Sequence, residues 1–110
     1  MSDSSGDPRV QNLTVDEVAQ GLRDGKMLLV DVREPNETAV ERYPDAVVVP
    51  LSSFDPAQID PQGRRVVFAC RSGRRSVTAS LAAQEKGLPY DAHLAGGILA
   101  WKAAGQPTES

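Results

Sequence analysis

The chain has 110 residues, 12 Lys and Arg against 15 Asp and Glu for a formal charge of −3, and 40% apolar residues with Trp 1, Tyr 2 and Phe 2 as its aromatics. That length suits one compact domain and is short for two, and so few aromatics leave a core of Val, Leu, Ala and Ile, which fits a small sheet flanked by helices. The acidic balance argues against nucleic acid as a general partner, no apolar run approaches the roughly 18 residues that span a bilayer, and one cysteine with one histidine can close neither an internal disulfide nor a structural zinc site.

Residues 1–8 are polar and small and lack the basic and apolar sections of a signal peptide, so they are expected to be a disordered tail on a soluble, cytoplasmic protein. The folded domain is expected over residues 9–105, with residues 106–110 as a polar C-terminal tail. Val10 to Asn12 is a candidate edge strand. Thr14 and Glu17 stand at capping-box spacing, and Leu13 and Val18 are placed as a hydrophobic staple, so a helix starts there and ends near Asp24-Gly25. Met27 to Val32 is a nearly continuous apolar run, the mark of a strand covered on both faces of a parallel sheet, and Ala46 to Val49 and Val66 to Ala69 read the same way. Between them, Glu37 to Arg42 is a short helical segment ended by Tyr43-Pro44, and Leu51 to Gln58 holds another helical turn. Ser76 to Lys86 is a helix with Gly87 at its C-cap, Tyr90 to Leu94 a strand, Gly96-Gly97 a tight turn, and Ile98 to Ala104 a final helix carrying Trp101 onto the body of the domain. Alternating strands and helices predict an α/β fold: a doubly wound, mostly parallel sheet of four to five strands, flanked by helices on both faces, with its ligand site at the carboxyl ends of the strands.

Cys70 occupies such an end. It follows the apolar run Val66 to Ala69 and precedes a helix, where unpaired backbone N–H groups favour negative charge. Three of the chain's cationic residues, Arg71, Arg74 and Arg75, fall within five residues of it. An ordinary cysteine is about 3% thiolate at neutral pH, and about 2 kcal/mol of differential stabilisation makes thiolate about half the population. Gly73 permits backbone angles that turn successive N–H groups inward as an anion nest, while Ser72 and Ser76 add hydroxyl donors and Ser76 is also placed to cap the helix. Asp31 and Arg33, at the end of the neighbouring strand, are placed either to hold the loop by charge-assisted hydrogen bonds or to form a surface salt bridge without effect on activity. His93 lies in a strand pattern and reads as a structural or surface histidine, because a thiolate already stabilised by its loop needs no base. Trp101 reads as a packing residue.

Three segments together make the chain similar to a single-domain rhodanese over most of residues 9–107. They are Leu29-Val30-Asp31-Val32-Arg33-Glu34, then Cys70-Arg71-Ser72-Gly73-Arg74-Arg75-Ser76, then Leu94-Ala95-Gly96-Gly97-Ile98-Leu99-Ala100-Trp101. The resemblance implies a sulfurtransferase whose cysteine takes sulfane sulfur from a donor such as thiosulfate, holds it as a persulfide and passes it to a nucleophilic acceptor such as cyanide or a thiol. Cys70 is then the catalytic residue, and Arg71, Ser72, Gly73, Arg74, Arg75 and Ser76 bind the donor, with Asp31 and Arg33 in support. No cofactor, metal or membrane is implied, and a monomer is the default. The chain departs from the family at Glu41, Arg42 and Asp45, where glycine, histidine and a second glycine are common. That change is expected to alter a local turn and a surface used by partners while sparing the chemistry.

Two other functions fit the same cysteine. A cysteine-dependent phosphatase also holds a thiolate in an anion loop, but resembling enzymes place five residues between cysteine and arginine, whereas here Arg75 closes a shorter ring. A sulfur carrier or sensor serving a protein donor or acceptor needs the same cysteine and differs only in its partner.

Overall fold

The computed structural model describes residues 7–110, so most of the expected N-terminal tail, residues 1–6, lies outside the described residues. The chain folds as β1 (Gln11–Leu13), α1 (Val15–Arg23), β2 (Met27–Asp31), α2 (Pro35–Thr38), β3 (Val47–Val48), β4 (Arg65–Ala69), α3 (Arg74–Glu85), β5 (Ala92–Leu94) and α4 (Gly97–Ala103). The five strands form one sheet in the order β1-β5-β4-β2-β3, and every pairing is parallel. From β2 the chain proceeds toward one edge and from β4 toward the other, so the carboxyl ends of β2 and β4 flank the point where the winding reverses. A crevice opens at such a point in doubly wound sheets.

Period-two alternation sorts the strand residues onto two faces. Leu29, Val67, Ala69, Ala92 and Leu94 meet Val18 and Ala19 of α1 and Ile98 and Trp101 of α4 in one buried cluster. Leu28, Val30, Val66 and Phe68 meet Ala79 and Ala83 of α3 in the other, which also contains Cys70 and Tyr90. Phe68 is the hub of that second layer, with Phe54 and Tyr90 both edge-on at centroid distances of 5.6 and 6.2 Å. Edge-on pairs of this kind contribute about 0.5–1.5 kcal/mol beyond burial.

The capping box expected at Thr14 forms in full: Thr14 Oγ1 accepts from Glu17 N at 3.1 Å, and Thr14 N donates to Glu17 Oε1 at 2.9 Å. Leu13 and Val18 are both buried beside it. Three boundaries differ from expectation. The short helix lies over Pro35–Thr38 rather than Glu37 to Arg42, because Pro35 supplies a preset first helical residue and Glu34 with Glu37 forms the box that starts it. The run Ala46 to Val49 gives only the two paired residues of β3, and Val47 and Val48 are exposed because β3 pairs on one side alone. The helical turn expected over Leu51 to Gln58 is two separate 3₁₀ turns, Leu51–Ser53 and Pro56–Gln58, divided by extended residues Phe54 and Asp55.

Residues after α4 fold back onto the body. Trp101 Nε1 donates to the Pro107 carbonyl at 2.8 Å, and Arg42 and Glu109 exchange two backbone hydrogen bonds at 2.8 and 2.9 Å. Among the described residues, no helix is long and apolar enough to cross a membrane.

Candidate active site

Cys70 follows the last residue of β4 and is 1% exposed, so its sulfur is buried at the carboxyl end of that strand. Gly73, at φ 104°, is the N-cap of α3, a conformation costly to any residue with a Cβ. In that conformation its N–H points back at the sulfur, with Gly73 N 3.1 Å from Cys70 Sγ. A side chain at Gly73 would also press on the Gly96 backbone nitrogen at 3.2 Å.

The carbonyl side of the same loop is pinned from behind. Cys70 O accepts from Tyr43 Oη at 2.8 Å and from Ile98 N at 2.9 Å, and Arg71 O accepts from Leu99 N at 3.2 Å. Carbonyls turned toward α4 and Tyr43 leave the opposite side of the loop to N–H groups, the arrangement an anion requires. Burial pushes the Tyr43 phenol far above its usual range, and the charges of Asp31 and Cys70 add to this, so Tyr43 remains a donor.

α3 begins at Arg74, two residues earlier than its sequence suggests, and Gly73 is its N-cap. Ser76 therefore cannot cap the helix. It stands fully buried inside the first turn, with its Oγ 3.6 Å from Cys70 Sγ and 2.7 Å from His93 Nδ1. Arg71, Ser72 and Arg74 are exposed on the loop and at the start of α3. Arg75 is half-buried and committed: its two terminal nitrogens reach both oxygens of Glu37 at 2.7 and 2.8 Å. That fork tethers α2 to the loop. Arg75 holds the Glu37 carboxyl down to about 2, with help from the Glu34 backbone N–H and the charge of Arg33.

A profile of the rhodanese-like domain family matches residues 14–104. This chain belongs to that family. A sulfurtransferase of Allochromatium vinosum is 36% identical over 100 residues, covering 89% of this chain and 94% of that protein. An uncharacterized protein of Synechocystis is 43% identical over 83 residues, 74% of this chain, yet the chain spans only 46% of its length. Among solved structures, a rhodanese-related protein of Thermoplasma volcanium superposes with a TM-score of 0.77 at 22% identity, covering 90% of this chain and 97% of the other.

In this rhodanese-like domain Asp31 and Arg33 form a buried pair. Arg33 Nη2 and Nε reach Asp31 Oδ2 and Oδ1 at 2.9 and 3.1 Å, and the pair's side chains are 5% and 0% exposed. Burial opposes the Arg33 charge, but the hydrogen bonds and charge of Asp31, with Tyr43 and Glu37, still hold its pKa above the usual range. Neither residue is hydrogen-bonded to the loop itself. Arg33 lies over the Tyr43 ring at 5.6 Å and donates to the Glu41 carbonyl at 2.9 Å, so its route to Cys70 is through Tyr43.

The residues that depart from the family pattern are wired to the C-terminal segment. Glu41 accepts from Lys102 and from Thr108, each at 2.8 Å. Asp45 adopts φ 58°, the left-handed conformation that the family's usual glycine would take freely, and aspartate tolerates it better than most residues. The turn thus keeps its shape with a different residue. Sequence reasoning missed Tyr43 and Glu37 as parts of the site; of the two alternatives read for His93, structural or surface, its full burial fits the structural one.

Proposed function

We propose that this chain is a sulfurtransferase that moves sulfane sulfur through a Cys70 persulfide, with thiosulfate as a donor and cyanide or a thiol as acceptor. The observation that carries this reading is the Gly73 N–H aimed at the Cys70 sulfur at the head of α3. A sulfur so held is favoured as an anion and remains favoured when a second sulfur extends it. In the first step the Cys70 thiolate attacks the outer sulfur of thiosulfate, an S–S bond forms to the protein, and sulfite leaves with the electron pair of the bond that breaks. In the second the acceptor attacks the outer sulfur of the persulfide, and the pair returns to Cys70. Arg71 and Arg74, exposed at the opening, draw in the dianion, while Arg75 shapes the loop through Glu37. Support also comes from relatives whose names say sulfurtransferase, including a thiosulfate:glutathione sulfurtransferase of Saccharomyces cerevisiae, 28% identical over 99 residues, 77% of this chain and 71% of that protein.

The test is intact-protein mass after incubation with thiosulfate, for the native chain and for Cys70→Ser, followed by cyanide. The native chain is expected to gain one sulfur and lose it to cyanide as thiocyanate, with Cys70→Ser unchanged and still folded. No gain on the native chain, or a gain on Cys70→Ser, overturns the reading.

A second reading, transfer to or from a protein partner, is favoured by a groove of about 320 Å³ beside the loop, lined by Arg33, Glu37, Val40, Glu41, Arg71 and Leu99 among others. Val40 and Leu99 stand exposed at 73% and 45% on its walls, an apolar pair next to a charged opening. A phosphatase reading is weakened by Arg75, whose fork is already bonded to Glu37 rather than open to a phosphate.

A further inference from the structure

His93 lies on the central-sheet side of α3, one strand from Cys70, and its ring joins a line of polar groups that the sulfur-transfer steps do not use. Asn12 Oδ1 is 2.6 Å from His93 Nε2, His93 Nδ1 is 2.7 Å from Ser76 Oγ, and Ser76 Oγ is 3.6 Å from Cys70 Sγ. His93 and Ser76 are both 0% exposed, so the line runs through the interior from the β1 edge to the nucleophile.

The donors and acceptors along it can be assigned. A carboxamide oxygen only accepts, so His93 Nε2 carries a hydrogen. In the neutral ring Nδ1 is then an acceptor, and Ser76 must donate to it. The Ser76 oxygen is left with lone pairs toward Cys70, which suits a thiol S–H and repels a thiolate. In the imidazolium the order reverses: Nδ1–H donates to Ser76 Oγ, and the Ser76 hydroxyl turns its hydrogen toward sulfur, which suits a thiolate. The two orientations of one buried hydroxyl thus match two protonation states at each end.

We propose that His93 takes the proton of Cys70 through Ser76, so that the resting nucleophile is a thiolate paired with a buried imidazolium. The S–H bond breaks as an O–H bond forms at Ser76, and the hydroxyl's former proton forms the N–H bond at His93 Nδ1. Charge and atoms balance within the chain, and no proton is exchanged with solvent. His93 acts on the sulfur only through Ser76 and is a positioning residue. The proposal rests on the sulfurtransferase reading for the role of Cys70, but not for any donor.

Four elements contribute described groups around the ring. β1 brings Asn12, β4 brings Phe68 in register, α3 brings Ser76, and the turn at Gly73 lies close to His93 Cε1. The titratable group to which this line leads is Cys70, whose charge is felt by Arg75, itself held by Glu37, and by Tyr43.

The chain contains one cysteine and one histidine, so each can be followed without assignment. Thiolate ultraviolet absorbance, taken as the difference from Cys70→Ser, reports Cys70 against pH, and ring ¹⁵N shifts report His93. Groups coupled in this way shift one another equally, because the coupling is reciprocal. In His93→Asn the carboxamide oxygen still accepts from Ser76 but holds no proton, and the thiolate midpoint is expected to rise by about one pH unit, a roughly tenfold loss of thiolate below the midpoint. In Cys70→Ser the imidazolium loses its partner, and the His93 midpoint is expected to fall by about the same amount. A thiolate midpoint unchanged in a folded His93→Asn overturns the proposal, as does a His93 midpoint that ignores Cys70→Ser. If His93→Asn does not fold, the Cys70→Ser arm decides alone. Neither arm uses a sulfur donor. Coupled midpoints in a chain that thiosulfate leaves unloaded overturn the donor and keep the relay, and loading with uncoupled midpoints does the reverse.

Discussion

At Gly97 a single hydrogen stands where a methyl group would overlap the Arg71 carbonyl and crowd the Cys70 oxygen, and the residue also sits at φ 60°. Gly97→Ala is therefore expected to cost about 2 kcal/mol, the range of forced overpacking, and to push α4 off the loop. Denaturant unfolding followed by Trp101 fluorescence measures the loss, and an unchanged midpoint would show that the loop does not depend on this approach. The sequence makes Cys70, its arginines and Gly73 legible because they are contiguous, and a strand-end, glycine and helix-start pattern carries its own geometry. The groups that complete the site come from far along the chain. Tyr43 meets the Cys70 carbonyl across 27 residues, His93 meets Ser76 across 17, and Glu37 meets Arg75 across 38. None belongs to a local pattern, and only tertiary packing brings them in.

The elements were most legible where one end carries a chemical signal. α1 begins where Thr14 and Glu17 can close their box, and β2 and β4 fill both faces of the sheet as their unbroken apolar runs require. The weak periodicity of Glu37 to Arg42 points away from the true start of α2 at Pro35, and Ser76 resembles a cap for α3 while Gly73, with no side chain to signal one, is the true cap. The fork between α2 and α3 has a pH signature. Arg75 holds the Glu37 carboxyl down to about 2 in the folded chain against 4.5 ordinarily, so its contribution is complete above pH 4.5 and is lost as pH falls through this window. Both partners are partly exposed, and solvent screening reduces that contribution to on the order of 1 kcal/mol. Glu37→Gln is expected to lower stability by that amount at pH 7 and to remove this part of the acid slope. Equal slopes in the two proteins, measured by urea unfolding between pH 5 and pH 2, would sink the assignment.

On the scale of the whole molecule, the segment after α4 is a strap. It joins Trp101 through Pro107, Glu41 through Thr108, and Arg42 through Glu109, binding the last helix to the segment that departs from the family pattern. Trp101 stacks edge-on to Tyr43 at 5.6 Å, and Tyr43 holds the Cys70 carbonyl, so the strap lies three contacts from the nucleophile. Deleting residues 107–110 is expected to red-shift Trp101 emission and to lower Tm by about 5 °C, equivalent to about 1 kcal/mol for a domain of this size. Emission and Tm equal to those of the full chain would mean that the strap contributes nothing. The parallel sheet and a site at the carboxyl ends of its strands follow from alternating strands and helices, whereas the strand order β1-β5-β4-β2-β3 does not. The strap was not legible either, because residues 106–110 carry no periodicity, and their partners, the Trp101 indole, the Glu41 carboxylate and the Arg42 backbone, are brought in by tertiary packing.

The depth of Cys70 has a consequence for which molecules meet which sulfur. Cys70 is 1% exposed, so bare Sγ offers little of itself to a bulky reagent. On the persulfide reading proposed above, loading would add one S–S bond of about 2.05 Å and move the reactive atom from Sγ by that length. On the function proposed above, the loop would be a sieve whose mesh changes with its cargo: entry would be limited by size while the cysteine is empty, and delivery would be open to a larger acceptor once it is full. A domain built this way can discriminate at the step where sulfur comes in and be permissive at the step where it goes out.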